Sequence, residues 1–420
     1  MHGEQPLAIH SLHFDWGAPE GGAVALWDPV TGTRLGEQPE WIRGRRSEPV
    51  AYVRGALPSV QVTLLANHYV PVDFELSAFG PALCPGEGPV RWLGPHPVSL
   101  EQTAGWNTLP QPVPFQRPLP RRIGLHALEL QWYAEWTDAR GDARRLFLGE
   151  TRHEVCTTGG PLVEGLPGAP PSGAWAPVVR WSSRWCAGLE GRKALCDAIL
   201  QGLPETQLRY GLPVWTVRHM LVAGGGMCGA WYQLFPQLAG CQGVPVEGRT
   251  LHLVADAGAH PDGARWEALV STAPGINLLQ PSLHSRFHGR FHDCERYPFP
   301  PDTPVELLGR HEARYCFPAG DGDGHCVNFL EDGGRLYLYD ACFRTRAVEL
   351  DMPLPPADGP PVRLGPASPL RRDYLHEVMP WLMGTLRANG RRWEVDLARG
   401  EFGITVRTEQ VPELGLHWSL

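Results

Sequence analysis

Lysine is almost absent from this chain. Lys193 is the one lysine among 37 basic residues, and all the others are arginine. With 49 glycines and 43 prolines, this bias points to GC-rich coding. A basic surplus is also missing. The formal net charge is −8, so the chain lacks the electrostatic footprint of a nucleic-acid binder. No block of one charge sign suggests an interaction tail. No apolar run reaches the ~18–20 residues of a membrane span. Met1 to Asp15 contain no basic segment followed by an apolar one, so no signal peptide is read there. The expectation is a cytoplasmic chain with no nucleic-acid partner and no membrane span. CxxC pairs are absent too. The ten cysteines are Cys84, Cys156, Cys186, Cys196, Cys228, Cys241, Cys294, Cys316, Cys326 and Cys342. Scattered over 420 residues, they read as reduced thiols rather than a disulfide framework.

What is present suits a folded chain. Hydrophobic residues make up 43% and charged residues 20%, enough to bury a core, and the length suggests two or three domains. Residues 1–158 read as β. Leu128, Leu130, Trp132, Ala134 and Trp136 alternate with polar neighbours, the pattern of a half-buried strand. A turn at residues 139–142 then returns the chain as a hairpin. Short strands between Pro/Gly turns predict an antiparallel β-sandwich. His68 and His153 stand singly there, without a nucleophile beside them. Residues 159–177 have linker composition. Beyond them, Leu195, Ala198, Ile199 and Leu203 mark one helix face, and a second helix is predicted from Pro213 to the triple glycine. A strand is predicted over 249–256. Residues 258–309 read as an irregular insertion within a core spanning 178–351. Residues 352–420 read as an appendage, with a helix from Ser368 towards Asn389 and a closing hairpin around Arg399-Gly400. The fold class expected is α+β.

Three stretches carry candidate chemistry. Gly224-Gly225-Gly226-Met227-Cys228-Gly229-Ala230-Trp231 leads glycines into a cysteine and then into a helical apolar stripe, Trp231, Leu234, Phe235 and Leu238. Cys228 therefore falls at the first turn of a helix. Unpaired N–H groups and the helix dipole there favour a thiolate. The bland alternative is a glycine loop before a core helix with an inert thiol. About a hundred residues on, two β-type runs flank Asp332-Gly333. A two-residue turn at that pair sets His325 directly opposite Asp340, a carboxylate beside an imidazole. A thiol, a base and an orienting carboxylate together suit acyl transfer through a thioester, with helix N–H groups receiving the oxyanion. The third stretch holds His284, His288 and His292, four apart, which on a helix would share a face as a metal site needs. The interleaved Phe287 and Phe291 argue for a substrate-facing loop instead, so no cofactor is expected.

The motifs Gly226-Met227-Cys228-Gly229-Ala230-Trp231, Gly243-Val244-Pro245-Val246-Glu247-Gly248, His325-Cys326-Val327-Asn328-Phe329 and Leu338-Tyr339-Asp340-Ala341 resemble, in order and spacing, the transglutaminase-like branch of the papain-like cysteine enzymes. The resemblance covers roughly residues 185–343. It implies a helix-borne cysteine packed on an antiparallel sheet, with Cys228 as nucleophile, His325 as base and Asp340 as orienter. It implies a protein or peptide substrate and a protease, deamidase or transamidase activity. It also implies an oxyanion contribution from a preceding segment, for which Trp215 and Gly226 are the nearest residues. Asp321 and Asp323 are too few for a calcium loop of the animal type. The competing reading is a silent scaffold of the same fold, with the N-terminal module as partner surface.

Overall fold

The computed structural model describes residues 6–14, 22–45, 47–67, 73–83, 86–100, 104–210, 212–256, 265–271, 290–291, 303–308, 324–342, 347–350, 362–364, 384–388, 391–396, 403–408 and 417–419. These residues form a mixed α+β structure with several β-sheets and four α-helices. The chain divides into two compact units. The first comprises residues 1–165, 169–195 and 237–244; the second comprises 166–168, 196–236 and 245–420. Among the described residues no helix is long and apolar enough to cross a membrane.

The strands of the first unit are β1 (Leu7–Phe14), β2 (Leu26–Trp27), β3 (Trp41–Ile42), β4 (Val50–Val53), β5 (Ser59–Ala66), β6 (Asp73–Gly80), β7 (Val90–Ser99), β8 (Gly105–Thr108), β9 (Val113–Pro114), β10 (Gly124–Thr137), β11 (Ala143–Thr158) and β12 (Ala174–Trp175). One sheet runs β3-β1-β5-β8, with β9 also on β5; a second runs β4-β11-β10-β6-β7. The alternation seen in sequence holds. Leu128, Leu130, Trp132 and Ala134 are buried, while Glu129 and Gln131 between them are exposed. Leu7, Ile9, Val60, Val62 and Leu64 of the first sheet share one apolar cluster with Leu76, Leu128, Leu130 and Trp132 of the second. The hairpin closes as read, with Thr137 paired to Ala143. Helix α1 (Ala176–Trp185) packs on β10 and β11.

α2 (Arg192–Gly202) follows, ending in a 3₁₀ turn at Leu203–Thr206. After β13 (Arg209–Tyr210) comes α3 (Val217–Ala223). It starts at Val217 rather than at Pro213, because the Thr216 hydroxyl caps it by accepting from the His219 N–H. β14 (Gly225–Gly226) leads into α4 (Cys228–Gly240). The remaining strands are β15 (Glu247–Asp256), β16 (Arg265–Ser271), β17 (Arg290–Phe291), β18 (Thr303–Leu308), β19 (Gly324–Asp332), β20 (Arg335–Tyr339), β21 (Val348–Leu350), β22 (Val362–Leu364), β23 (Gly384–Ala388), β24 (Arg391–Asp396), β25 (Gly403–Thr408) and β26 (His417–Ser419). Two six-stranded sheets result, β21-β20-β19-β15-β16-β22 and β17-β18-β23-β24-β25-β26.

Three expectations change. The insertion at 258–309 is not wholly irregular, since β16 pairs with β15 and β18 with β23. The predicted helix towards Asn389 does not hold at 384–388, where pairing to β18 and β24 imposes a strand over local propensity. The third change is the register of the β19–β20 hairpin. Its pairs run from Asp332↔Arg335 to Asn328↔Tyr339, so the two-residue loop is Gly333-Gly334. Both glycines have positive φ, 59° and 76°, as a type I′ turn demands at both central positions. An aspartate at the first of them carries a steric cost that glycine avoids. The turn therefore sits one residue further along than Asp332-Gly333. Asp340 comes level with Val327, and His325 is no longer directly opposite it.

His153 shows what burial does in the first unit. It is buried between Thr151, which shares a hydrogen with its Nε2 at 2.8 Å, and the ring of Phe14 at 4.9 Å. Among the described residues its Nδ1 has no hydrogen-bond partner. Burial drives its pKa down to about 3, so the native state holds it neutral. The unfolded chain protonates it near pH 6.5. Stability contributed by the neutral ring is thus present above that value and lost as pH falls towards 3. Between pH 7 and pH 4.5 the loss amounts to about 2–3 kcal/mol. Urea unfolding at both pH values should show this loss in the wild type and a smaller one in His153→Asn.

Candidate thiol site on helix α4

Backbone contacts set the first turn of α4. The Met227 N–H donates to the Val214 carbonyl at 2.8 Å. The Met227 carbonyl accepts from the N–H groups of Ala230 and Trp231, at 2.9 and 3.2 Å. Met227 is thus the cap, and Cys228 is the first helical residue. The N–H groups of residues 228 and 229 fall in the turn where a helix offers no internal acceptor, the electropositive end that favours a thiolate. Gly226 is buried, and its carbonyl accepts from the Trp231 indole N–H at 3.2 Å. A Cβ on Gly226 would lie 2.8 Å from that of Ala230. Trp215 is half-buried and packs on Tyr232, and its ring would lie 3.3 Å from a Cβ at Gly229. Both weaker candidates, Trp215 and Gly226, thus border the start of α4.

One stripe of α4 carries positions 228, 232 and 235, spaced by four and three. Its lower part lies on the β15–β19–β20 sheet. The Phe235 ring stacks on that of Tyr339 at 5.1 Å. The Tyr339 hydroxyl donates to Asp197 Oδ1 of α2 at 2.8 Å, and burial is the main cause that raises its pKa. The Tyr232 ring packs against Gly248, where a Cβ would come within 1.8 Å of it. Asn328 donates from Nδ2 to the Tyr232 carbonyl at 3.0 Å. That carbonyl has a particular history in the chain. An ordinary helix would pair it with the N–H of residue 236, but residue 236 is proline and has none. A buried carbonyl left bare costs about 1–3 kcal/mol, and the Asn328 amide fills it. Pro236 accordingly stays inside α4 without ending it, since the helix continues to Gly240.

The sequence candidates sit as follows. Position 228 is one turn before Tyr232 on the same stripe. Position 325 is in β19, paired to Leu251 of β15. Along β19, positions 325, 327 and 329 form one row, and 326, 328 and 330 the other. Asn328 and its partner Tyr339 belong to the row laid on α4; position 325 shares a row with Val327. Asp340 is fully buried where β20 ends, and its Oδ1 accepts from the Cys342 N–H at 2.9 Å, forming a tight turn. Cys342 in that turn packs against Tyr232. The turn after Asp340 is therefore brought to α4 through Cys342, while Asp340 itself, level with Val327, shares its register row with position 325, the row that is not beneath the helix. His284, His288 and His292 lie outside the described residues. Among the described residues no group of three or more His, Cys, Asp or Glu side chains is placed to hold a metal ion.

Reading by motif gave Tyr232 and Asn328 no role, and took Pro236 only as a residue that bends or shortens the helix, which instead runs on to Gly240. Their signal was in the sequence: a proline inside an apolar helix frees the carbonyl four residues earlier, and an asparagine between Val327 and Phe329 is a donor in search of one. A scan against family models finds no match to the chain, and searches of curated proteins and of solved structures find none either.

The thiols of the first unit contrast with a helix-start cysteine. Cys156, Cys186 and Cys241 are free and buried. Burial pushes Cys156 and Cys186 up to about 12 and raises Cys241 further, with the two neighbouring thiols adding to the effect there. In the folded protein at pH 8, iodoacetamide should leave these three unlabelled, as read by peptide mass spectrometry, and denaturant should expose them. Gly248→Ala forces a methyl into the Tyr232 ring. It should lower stability by about 1–3 kcal/mol in urea unfolding.

Proposed function

We propose that the chain is a cysteine-dependent acyl-transfer enzyme acting on amide or peptide bonds, with Cys228 as nucleophile, His325 as base and Asp340 as orienter. The observation that carries this reading is the α4 stripe. The helix face that holds position 228 is the face laid, through Tyr232 and Phe235, on the sheet that holds positions 325 and 340. The turn after Asp340 touches the same stripe through Cys342. The reading takes the β15–β22 sheet with α4 as a transglutaminase-like core. It takes the two N-terminal sheets as a sandwich that helps select a protein or peptide substrate. A cytoplasmic setting suits a reduced nucleophile.

The chemistry follows from the residue types. The Cys228 thiolate adds to the substrate carbonyl, and N–H groups of the first α4 turn receive the oxyanion. The C–N bond breaks as the His325 imidazolium gives its proton to the leaving amine, and a thioester remains on Sγ. Water or a second amine, deprotonated by His325, then takes the acyl group. Water gives hydrolysis or deamidation, and an amine gives transamidation. Asp340 holds the imidazole in the tautomer this cycle needs.

A second reading is favoured by one specific observation. Position 325 lies in the strand row that is not beneath α4, as a silent scaffold of the same fold would permit. Alkylation of Cys228 as a function of pH separates the two. The enzyme reading expects rapid labelling well below the ordinary thiol pKa of about 8.5, lost in His325→Ala. A profile centred near 8.5 and indifferent to His325→Ala assigns the chain to the scaffold reading.

A further inference from the structure

We propose that the exposed face of the β3-β1-β5-β8 sheet, where Trp106, His10, Arg43 and Arg45 come together, docks an acidic peptide segment of a partner protein. This inference concerns the first unit alone. It goes beyond the thiol-enzyme reading and stands or falls without it.

Trp106 is 72% exposed. A single exposed apolar side chain means little, but this one is held in place and flanked by charge. Its indole stacks on the His10 ring, with centroids 4.8 Å apart and planes 16° from parallel. A β-bulge makes the contact. Along β1, Ile9 pairs with Leu64 and Ser11 with Thr63, so His10 is the extra residue between them. Trp106 pairs with Leu65 from the far side of β5. The bulge thus turns His10 towards a ring two strands away. The Asn107 amide donates to the Gly105 carbonyl at 3.1 Å, bridging the residues on either side of Trp106. A ring held before its partner arrives has less freedom to lose on binding.

On the other side of His10, β3 runs into a turn. The Arg43 N–H donates to the His10 carbonyl at 2.8 Å, and the Arg45 N–H to the Ile42 carbonyl at 2.9 Å. Gly44, third in that turn, has a φ of 71°. Both arginines are exposed. Burial lowers the pKa of His10, and Arg45 and Arg43 lower it further, so both guanidinium groups lie close to the ring. From β8 to β3 the patch crosses three strand spacings, about 14 Å, which an extended peptide covers with about four residues. Guanidinium forks pair with carboxylates, and tryptophan beside arginine is the residue mix of interface hot spots. An acidic segment with one apolar side chain answers both.

The probe is a fluorescein-labelled copolymer of glutamate and tyrosine, titrated with the full chain and read by anisotropy. The variants are W106A, the double reversal R43E/R45E, and R117E/R152E, which reverses the same charge at other exposed positions of the first unit. Thermal midpoints check that each is folded. The expected result is binding by the wild type that weakens as salt is raised. W106A and R43E/R45E should each weaken it about tenfold or more, and R117E/R152E should leave it unchanged. Should W106A fail to fold, R43E/R45E decides alone. Absence of binding by the wild type overturns the proposal, as does binding indifferent to R43E/R45E or to a folded W106A. An equal loss in R117E/R152E marks unspecific attraction and also overturns it. Tighter binding of heparin at the same residues assigns the patch to a sulfated polysaccharide and overturns the peptide reading.

Discussion

A carbonyl without its helical partner organises the second unit. Proline at 236 has no N–H to donate to the Tyr232 oxygen, which is the ordinary helical pairing for that carbonyl. Asn328 donates to it from β19. Around this bond the other contacts fall into place. Tyr232 lies on Gly248 because only a residue without Cβ lets the ring approach, and Phe235 stacks on Tyr339 one turn further along. Asp197 of α2 holds the Tyr339 hydroxyl. The helix that begins with Cys228 is thus anchored by its second and third turns, leaving its first turn at the edge of the anchored region.

The first unit uses burial to different ends. Its two five-stranded sheets share one apolar cluster, and elsewhere in the unit burial holds single titratable groups neutral. His153 is kept unprotonated and three thiols are kept protonated by the same cause, removal of water from a group that would otherwise charge. A cysteine at a helix start meets the opposite field.

The pattern of the chain was legible where its period was strong. The strand Leu128 to Ala134, its hairpin, the α2 face and the helix starting at Cys228 all follow from spacing. The β19–β20 hairpin was legible as a hairpin but not in register. Asp332-Gly333 and Gly333-Gly334 are both turn dipeptides, and the second wins because both of its residues accept positive φ. That one-residue difference in the turn moves Asp340 from the level of position 325 to that of Val327. At 384–388 the helical reading failed because strand partners far away in sequence, β18 among them, supply the hydrogen bonds.

By itself, then, the sequence determined the local facts: which stretches alternate, which cysteine opens a helix, which proline lacks an N–H for its own helix. These are decided by side-chain period, φ preference and the absence of an N–H, all properties of neighbouring residues. The tertiary structure decided what no neighbour can: that Asn328 answers Pro236 across 92 positions, that Gly248 must yield to Tyr232, and that the turn after Asp340 lays Cys342 on Tyr232 of α4. Such matters depend on two distant segments meeting, and only packing brings them together.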